Sequence, residues 1–424
     1  MDEIVSLAKR RGFVYPGSEI YGGLANTYDY GPLGTELLRN IKNLWWERYV
    51  VKRDNIFGIH SGILMNKKVW EASGHVDSFV DPLVECKKCH KRFREDHLRD
   101  AKKCLECKGE LTEPKNFQGM FKTHIGATED KGSVAYLRPE TAQGMFINFK
   151  NIVNTQRPKL PFGIAQIGKG FRNEITLGNF IFRTLEFDMM EIEYFIDPKT
   201  WEKEFETWKK EMWQWLKDLG INEKNLRWRE HKEGERAHYS KRTEDVEYKF
   251  DFGWGELYGL AYRTDYDLKK HSQESGVDLK YSPDNGEPFF PHVVEPTYGA
   301  NRTMLTVLAD AYKKEEKRMV LKLNPKLAPY KVAIFPLLSN KPKLVSKAKK
   351  LYINLQKEYS AIFDDRGNIG KRYFTQDEIG TPWCVTIDFQ TLDDKAVTIR
   401  DRDTTKQERV AIDKVSSWID KKLK

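Results

Sequence analysis

The sequence predicts a mixed α+β chain with a large first domain and a small α/β domain at its carboxyl end. The stretch from Gly168 to Phe195 shows the alternation of two strands joined by a loop. Beyond a proline-punctuated linker at 324–329, short apolar runs alternate with amphipathic helical patterns. With 424 residues, the chain is long enough for two or three domains with sizeable cores.

The amino-acid composition limits the kinds of function that the protein can have. Charged residues make up 32% and hydrophobic residues 39%, which is ordinary for a soluble protein. The net charge of +9 favours a polyanionic partner such as nucleic acid. No apolar run reaches the roughly 18 residues that a membrane-spanning helix needs. The first residues, MDEIVSLAKRRGFVYPG, lack the apolar core of a signal peptide, so we expect a cytoplasmic protein without membrane contact.

The first long helix is expected over 35–51, capped by Thr35 and followed by a strand in DNIFGIH. An apolar stripe at helical spacing supports the helix and consists of Leu37, Ile41, Leu44 and Trp45. Taken alone, this pattern equally fits an ordinary core helix.

Two C-x2-C pairs predict an inserted zinc ribbon over 84–113. Four thiolates with this spacing suit tetrahedral Zn²⁺, with each pair on a turn. A site closed by four protein ligands is structural, because no position remains open for substrate. The predicted ligands are Cys86, Cys89, Cys104 and Cys107.

The hairpin over 168–195 carries the most informative side chains. Strand alternation puts Arg172 and Glu174 on one face of its first strand. By the same rule, Phe187 and Glu191 share a face of the second strand. A guanidinium binds phosphate oxygens and an aromatic ring stacks on a base, so this surface suits a nucleoside triphosphate and a small zwitterion. The alternative is an ordinary hairpin with a salt-bridged polar face.

Two further regions follow the hairpin. Region 196–250 is expected to be a helical insertion, because apolar residues recur at helical spacing: Trp201, Phe205, Trp208, Met212, Trp215 and Leu219. At 291–308, Gly299 permits a turn and Arg302 stands where a helix begins, a favourable position for phosphate.

Several of these segments resemble motifs of the class II aminoacyl-tRNA synthetases. FRNE followed by R-x-x-E-F resembles motif 2, the region of Arg302 resembles motif 3, and the helix–strand pair near residue 50 resembles motif 1, which forms the dimer interface in that family. The segments MEIEYF, YLRPETAQGMFI and WGELYGLAYRTDYDL resemble the glycyl enzymes most closely. The resemblance implies a homodimer with an antiparallel catalytic sheet over 1–325 and an anticodon-binding domain over 329–424.

The resemblance also implies site residues. Arg172 and Arg302 would be catalytic. The implied ATP-binding residues are Arg172, Asn173, Glu174, Phe182, Arg183, Phe187, Glu256, Leu257, Gly299 and Arg302. The implied residues for the amino-acid substrate are Arg94, Glu140, Phe187, Glu191, Arg263, Glu295, Thr297 and Gly299. The sequence departs from the family at two positions, with Thr297 where serine is usual and Asn301 where aspartate is common.

The implied activity joins glycine to tRNA(Gly) in two steps. ATP and Mg²⁺ activate glycine as glycyl-adenylate, and the amino acid then passes to the 3′ end of the tRNA. Two alternatives stay open. One is a synthetase for serine or proline, against which the RPETAQG and MEIEYF segments argue. The other is a non-catalytic nucleic-acid-binding protein on the same fold, which would not need to keep Arg172, Glu174 and Arg302.

Overall fold

The structure, a computed structural model, describes residues 1–95, 98, 103–130, 132–174 and 178–423. The elements of the first third are α1 (Asp2–Arg11), β1 (Val14–Pro16), β2 (Tyr28–Tyr30), α2 (Pro32–Trp46), β3 (Ile56–Gly58), α3 (Lys67–Ala72), α4 (His75–Ser78), β4 (Val80–Glu85), β5 (Arg92–Arg94), β6 (Lys115–Gln118), β7 (Lys122–His124) and β8 (Val134–Tyr136). A π-helical turn, Glu47–Val51, extends α2.

The middle of the chain supplies most of the main sheet. Its elements are α5 (Ala142–Phe146), α6 (Phe149–Gln156), β9 (Phe162–Phe171), β10 (Glu186–Ile196), α7 (Trp201–Asp218), β11 (Leu226–Glu230), β12 (Arg242–Phe250), β13 (Gly253–Thr264), α8 (Tyr266–Ser275), β14 (His292–Gly299) and α9 (Ala300–Ala311). Short 3-10 turns lie at Glu19–Tyr21, Phe180–Phe182, Pro198–Thr200, Glu223–Asn225 and Glu233–Glu235.

The last elements are β15 (Tyr312–Lys314), β16 (Met319–Leu321), β17 (Val332–Pro336), α10 (Pro342–Leu355), β18 (Ala361–Phe363), α11 (Ile369–Ile379), β19 (Trp383–Ile387), α12 (Gln390–Asp394), β20 (Ala396–Asp401), β21 (Gln407–Ala411), a 3-10 turn at Ile412–Lys414 and α13 (Val415–Leu423). Among the described helices, none is both long and apolar enough to cross a membrane.

A seven-stranded sheet organises the first part of the chain. Its strand order is β11-β12-β13-β14-β10-β9-β3, and every pairing is antiparallel except that of β3 with β9. Central strand β10 is buried on both faces along almost its whole length. Its even-numbered residues, such as Met190 and Ile192, join the core formed with α2, α7 and α9. Its odd-numbered residues face the opposite side, where Phe195 packs against α5 and α6. The predicted antiparallel sheet is thereby confirmed.

Two sequence expectations about elements were wrong. Helix α2 begins at Pro32 rather than at Thr35, because proline suits the first helical position and Gly31 precedes it. Region 196–250 is α-helical only in α7, and its second half forms the edge strand β11 and its neighbour β12. The alternation of β12 was hidden because charged residues stand on both of its faces, and Glu244, Asp245 and Glu247 are buried along with Val246 and Tyr248.

The carboxyl-terminal part is a separate five-stranded sheet of order β18-β17-β19-β20-β21. Strands β17, β18 and β19 are parallel, whereas β20 and β21 are antiparallel, so the predicted α/β character is confirmed. Helices α10 and α13 cover one face with an apolar core. Buried charges tie this part to the β15–β16 hairpin and the segment after it: Arg318 binds Asp377 at 2.8 Å, and Arg402 donates to the Leu323 carbonyl at 2.7 Å.

Candidate active site

One face of the large sheet carries the candidate site, and the strand register shows its rows. In the outer row Gly170 lies opposite Phe187. The next rows, read across β9, β10 and β14, are Gly168, Met189 and Gly299, then Gln166, Glu191 and Thr297. One row deeper, Glu193 and Glu295 lie on the same face. Arginines and aromatic rings therefore gather at the outer end of the face, and carboxyls gather at the inner end.

The outer end is a cleft that opens to solvent. Nearly all the predicted ATP-binding residues line it: Arg172, Glu174, Phe182, Arg183, Phe187, Glu256, Leu257, Gly299 and Arg302. Arg302 lies in the first turn of α9, where its Nη1 is 3.0 Å from Glu256 Oε1. Arg183 Nη1 is 3.3 Å from Glu174 Oε2. The cleft thus presents cations, two of which are held by carboxylates that a phosphate could replace.

Aromatic rings support both central arginines of the cleft. The Arg172 guanidinium lies 5.4 Å from the Phe187 ring centroid, and that of Arg302 lies 4.5 Å from the Phe182 centroid. Glycines leave room for these rings. A Cβ at Gly170 would come within 2.9 Å of Phe187, and one at Gly255 within 2.9 Å of Phe182. Either added methyl would therefore displace an aromatic wall of the cleft.

The first strand of the hairpin is shorter than expected. Strand β9 ends at Phe171, and the Glu174 amide donates to the Arg172 carbonyl at 2.8 Å in a turn, so strand alternation does not explain their placement. Both side chains nevertheless line the cleft. Asn173 is not among the lining residues, and its amide donates to the Gly119 carbonyl at 2.8 Å. The turn arises because Arg172 makes the last ladder bond, to Leu185, before the chain leaves the sheet.

The inner end is a buried pocket centred on Arg263. This arginine is 0% exposed and stands near the end of β13. Its guanidinium donates to both oxygens of Asp267 at 2.8 and 2.9 Å, and to Glu295 Oε1 at 2.9 Å. The Tyr239 ring covers it, with its centroid 3.7 Å from the guanidinium carbon. Charge-assisted bonds of this kind are strong in a dry site.

Glu140 enters the pocket from the segment before α5. Its carboxylate lies 3.3 Å from His75 Nε2 and 3.8 Å from Arg263 Nη2. Gln143 donates to Glu140 at 3.0 Å and to Asp267 at 2.9 Å, while its own carbonyl contacts His271 at 2.7 Å. These contacts fix the carboxylate in one orientation.

Glu191 joins the two ends of the site. The Thr141 amide donates to its Oε2 at 2.8 Å, and the Thr141 hydroxyl contacts the same oxygen. The Thr297 hydroxyl donates to its Oε1 at 3.3 Å. Because Thr297 also lines the cleft, a ligand in the cleft and one in the pocket would meet at this residue.

Burial and mutual repulsion set the protonation of the pocket. Burial, reinforced by the charge of Glu140, raises the pKa of Glu191. Burial raises the pKa of Glu295 to about 8 despite its contact with Arg263. Burial acts in the same direction on Glu140, but the charges of His75 and Arg263 outweigh it and lower that pKa. In the cleft, Arg302 lowers the pKa of the half-exposed Glu256. The pocket therefore lacks enough positive charge for all its carboxylates.

The four cysteines lie together on turns beside β4. Their sulfurs are all within 4.8 Å of one another, with 3.4 Å between those of Cys86 and Cys107 and 3.6 Å between those of Cys89 and Cys104. Zn–S bonds of about 2.3 Å in tetrahedral geometry require sulfurs about 3.8 Å apart. The donor set fits Zn²⁺, so the cluster suggests a zinc site.

Sequence analysis missed several residues of the pocket. Thr141 and Asp267 stood within segments quoted for their resemblance, but their contacts depend on the folded arrangement. Glu193 was detectable, since it follows Glu191 by two in a strand and must share its face. The predicted substrate residue Arg94 falls in β5, and its side chain lies outside the described part of the structure.

Comparison with known proteins agrees with this geometry. The family model for the tRNA synthetase class II core domain (G, H, P, S and T) matches residues 121–326, and the model for the anticodon binding domain matches residues 331–422. The glycine–tRNA ligases of Thermobifida fusca and Streptomyces coelicolor are each 52% identical to the chain, covering 100% of it and 98% of their own length. That of Caldanaerobacter subterraneus is 50% identical, with the same coverage. The chain therefore belongs to the glycine–tRNA ligase family of class II tRNA synthetases.

Proposed function

We infer that this chain is a glycine–tRNA ligase, which activates glycine with ATP and transfers it to the 3′ end of its tRNA. The observation that carries this inference is the junction of a cationic, aromatic-lined cleft with a closed acidic pocket at Thr297 and Glu191. The first suits a nucleoside triphosphate and the second suits an ammonium group. No comparison supports the alternative of a non-catalytic nucleic-acid-binding protein.

In the first step, the glycine carboxylate attacks the α-phosphate of ATP in line and expels pyrophosphate. This needs no protein nucleophile, so the side chains act by positioning the reactants and by stabilising charge. We assign Arg172 to the α-phosphate and Arg302 to the γ-phosphate, because both guanidiniums line the cleft. Phe187 would cover the adenine face and Glu174 would accept from its amino group. Binding of phosphate to Arg302 would displace Glu256 from its 3.0 Å contact.

The ammonium group of glycine would enter the acidic pocket. Glu140, Glu191 and Glu295 come from three separate segments and are 6%, 2% and 5% exposed, respectively. Three carboxylates can accept the three N–H bonds of an ammonium, and low exposure strengthens those bonds. Thr297 adds a methyl group beside the pocket, which would help to exclude amino acids larger than glycine.

Mg²⁺ would neutralise the phosphate charge of ATP. Glu256 fits this ion, because its side chain is 52% exposed at the cleft and only one of its oxygens contacts Arg302. A magnesium ion that keeps several waters needs few protein carboxylates of this kind.

The remaining assignments follow the same family pattern. The catalytic domain would span 1–325 and include the zinc ribbon at 84–113, and the anticodon-binding domain would span 329–424. Exposed lysines along α10, including Lys343, Lys349 and Lys350, offer a basic surface for tRNA phosphates. A homodimer would cover the exposed apolar side chains of Ile20 and Tyr21, which are both 88% exposed. The cytoplasmic localisation stays a prediction.

ATP–pyrophosphate exchange across a panel of amino acids tests the function. We expect exchange with glycine and none above background with serine, proline or alanine. The matched reaction without amino acid is the control. Exchange driven by serine or proline would overturn the assignment of glycine, and no exchange with any amino acid would overturn the activity itself.

A further inference from the structure

Glu193 is the most deeply buried carboxyl of the acidic pocket, and the mechanism above leaves it without a role. It is 0% exposed, and neither of its oxygens has a hydrogen-bond partner among the described residues. The neighbouring Glu191 and Glu295 each accept at least one bond. Leaving a buried polar group unpaired costs about 1–3 kcal/mol, so its presence in a native fold needs an explanation.

The strand register puts Glu193 within the pocket. Glu191 pairs with Thr297, and Tyr194 pairs with Val294, so Glu193 lies directly across from Glu295 on β14. Pro296 interrupts the ladder of hydrogen bonds here because it has no amide hydrogen. Side chains directly opposite one another in antiparallel strands are close neighbours, with Cβ atoms about 5 Å apart.

The groups that face Glu193 are mostly acidic. They are Glu295 from β14, Glu191 from its own strand, Arg263 from β13 and Asp267 from α8. Burial, and then the charge of Glu295, raise the pKa of Glu193 well above its usual range. Arg263 already binds Asp267 and Glu295, so no described cation is left to compensate Glu193. Burial among these carboxyls therefore favours the protonated form of this side chain in the empty pocket.

We propose that Glu193 is a fourth ammonium-facing carboxyl of the glycine pocket, which holds a proton when the pocket is empty and releases it when glycine binds. The role rests on the proposed function. The O–H bond of the carboxylic acid breaks, and its proton passes to solvent. The carboxylate left behind shares the N–H donors of the entering ammonium with the other three glutamates, and the lost proton is replaced by one positive charge, so the net charge of the pocket stays the same.

The proposed role of Glu193 predicts that the affinity for glycine depends on pH. Below the raised pKa of the pocket, glycine must displace a proton, so its affinity increases as the pH rises. Above that pKa the proton is already gone, and the affinity no longer depends on it. The raised pKa of Glu193 thus predicts tighter glycine binding at higher pH.

Calorimetric titration of the full-length protein with glycine tests the proposal. Titrations in phosphate and in Tris buffer at pH 7 separate proton release from the heat of binding, since the two buffers have different ionisation heats. We expect the unmodified protein to release about one proton. Glu193→Gln should release clearly less, with a glycine KM raised by about tenfold and an ATP KM unchanged. Glu193→Asp keeps a titrating group and should retain the release.

The matched control is a buried carboxyl outside the pocket. Glu204→Gln changes a buried carboxyl on α7, outside the pocket, and should behave like the unmodified protein. Equal proton release by the unmodified protein and Glu193→Gln would overturn the role of Glu193 while leaving the glycine activity intact. Absence of glycine-dependent pyrophosphate exchange in the unmodified protein would instead overturn the proposed function. If Glu193→Gln fails to fold, loss of release in Glu193→Asp would overturn the proposal.

Discussion

The two ends of the site, the cleft and the pocket, differ in how their charges are balanced. In the cleft, Arg302 is 23% exposed and its partner Glu256 is 52% exposed, so solvent screens the pair and a ligand can replace either partner. In the pocket, Arg263 is 0% exposed and contacts three buried carboxyls, those of Glu140, Asp267 and Glu295, while Glu191 and Glu193 lie buried on the same face. The cleft can be neutral before ATP binds, whereas the pocket completes its charge balance only with an ammonium or with bound protons. An exposed charge can therefore exchange its partner for a ligand, whereas a buried charge needs a partner at all times.

The largest expected difference concerns stability. Arg263→Met would leave Asp267 and Glu295 buried without their cation, which typically costs about 3–5 kcal/mol. Arg302→Met removes a partly exposed pair and should change the free energy of unfolding by less than about 1 kcal/mol. Urea unfolding of both variants measures the contrast. Equal losses in the two variants would contradict the difference between the two ends.

The second expected effect concerns catalysis in the cleft. Arg172→Ala and Arg302→Ala should each lower glycine-dependent pyrophosphate exchange by about 10²–10³, the scale for lost transition-state contacts. Arg366→Ala is the control, because that side chain is 86% exposed in the carboxyl-terminal part. Near-normal exchange in either cleft variant would remove that arginine from phosphate binding.

The four-cysteine cluster shares no described residue with the cleft or the pocket and should respond differently. Cys104→Ser/Cys107→Ser removes two of four thiolates that lie within 4.8 Å of one another, so the variant should lose its zinc. Elemental analysis of the purified proteins measures this, with Cys384→Ser as the matched control outside the cluster. Full zinc retention in the double variant would contradict the four-cysteine site.

The smallest effect is expected at the junction of the two ends. Thr297→Ser keeps the hydroxyl that contacts Glu191 but removes a methyl from the wall. Glycine kcat/KM should stay within about threefold, and the preference for glycine over alanine should not improve, because a missing methyl can only loosen the pocket. Exchange kinetics with both amino acids measure this, and better rejection of alanine would show that Thr297 does not form the wall.

The two ends also differ in how far the sequence predicts them. The cleft was largely predictable, since Phe187 and Arg302 stand at a strand face and a helix start that local patterns reveal. The pocket was less predictable from the sequence. Its contacts join segments far apart in the chain, such as Thr141 with Glu191 and Gln143 with Asp267, and no local period encodes them. Strand β12 was missed for a related reason, because buried charged residues such as Glu244 and Asp245 hid its alternation.

Substitution of Glu191 tests the division between the two ends most directly. Glu191→Gln keeps the size of the side chain but removes its negative charge from the pocket, while the residues of the cleft stay unchanged. The measurement is pyrophosphate exchange with glycine and ATP varied separately. The division predicts a glycine KM raised by about 10–100-fold, the scale for a lost charge-assisted bond, with an ATP KM that stays the same. Unchanged glycine kinetics, or an equal rise in both KM values, would contradict it.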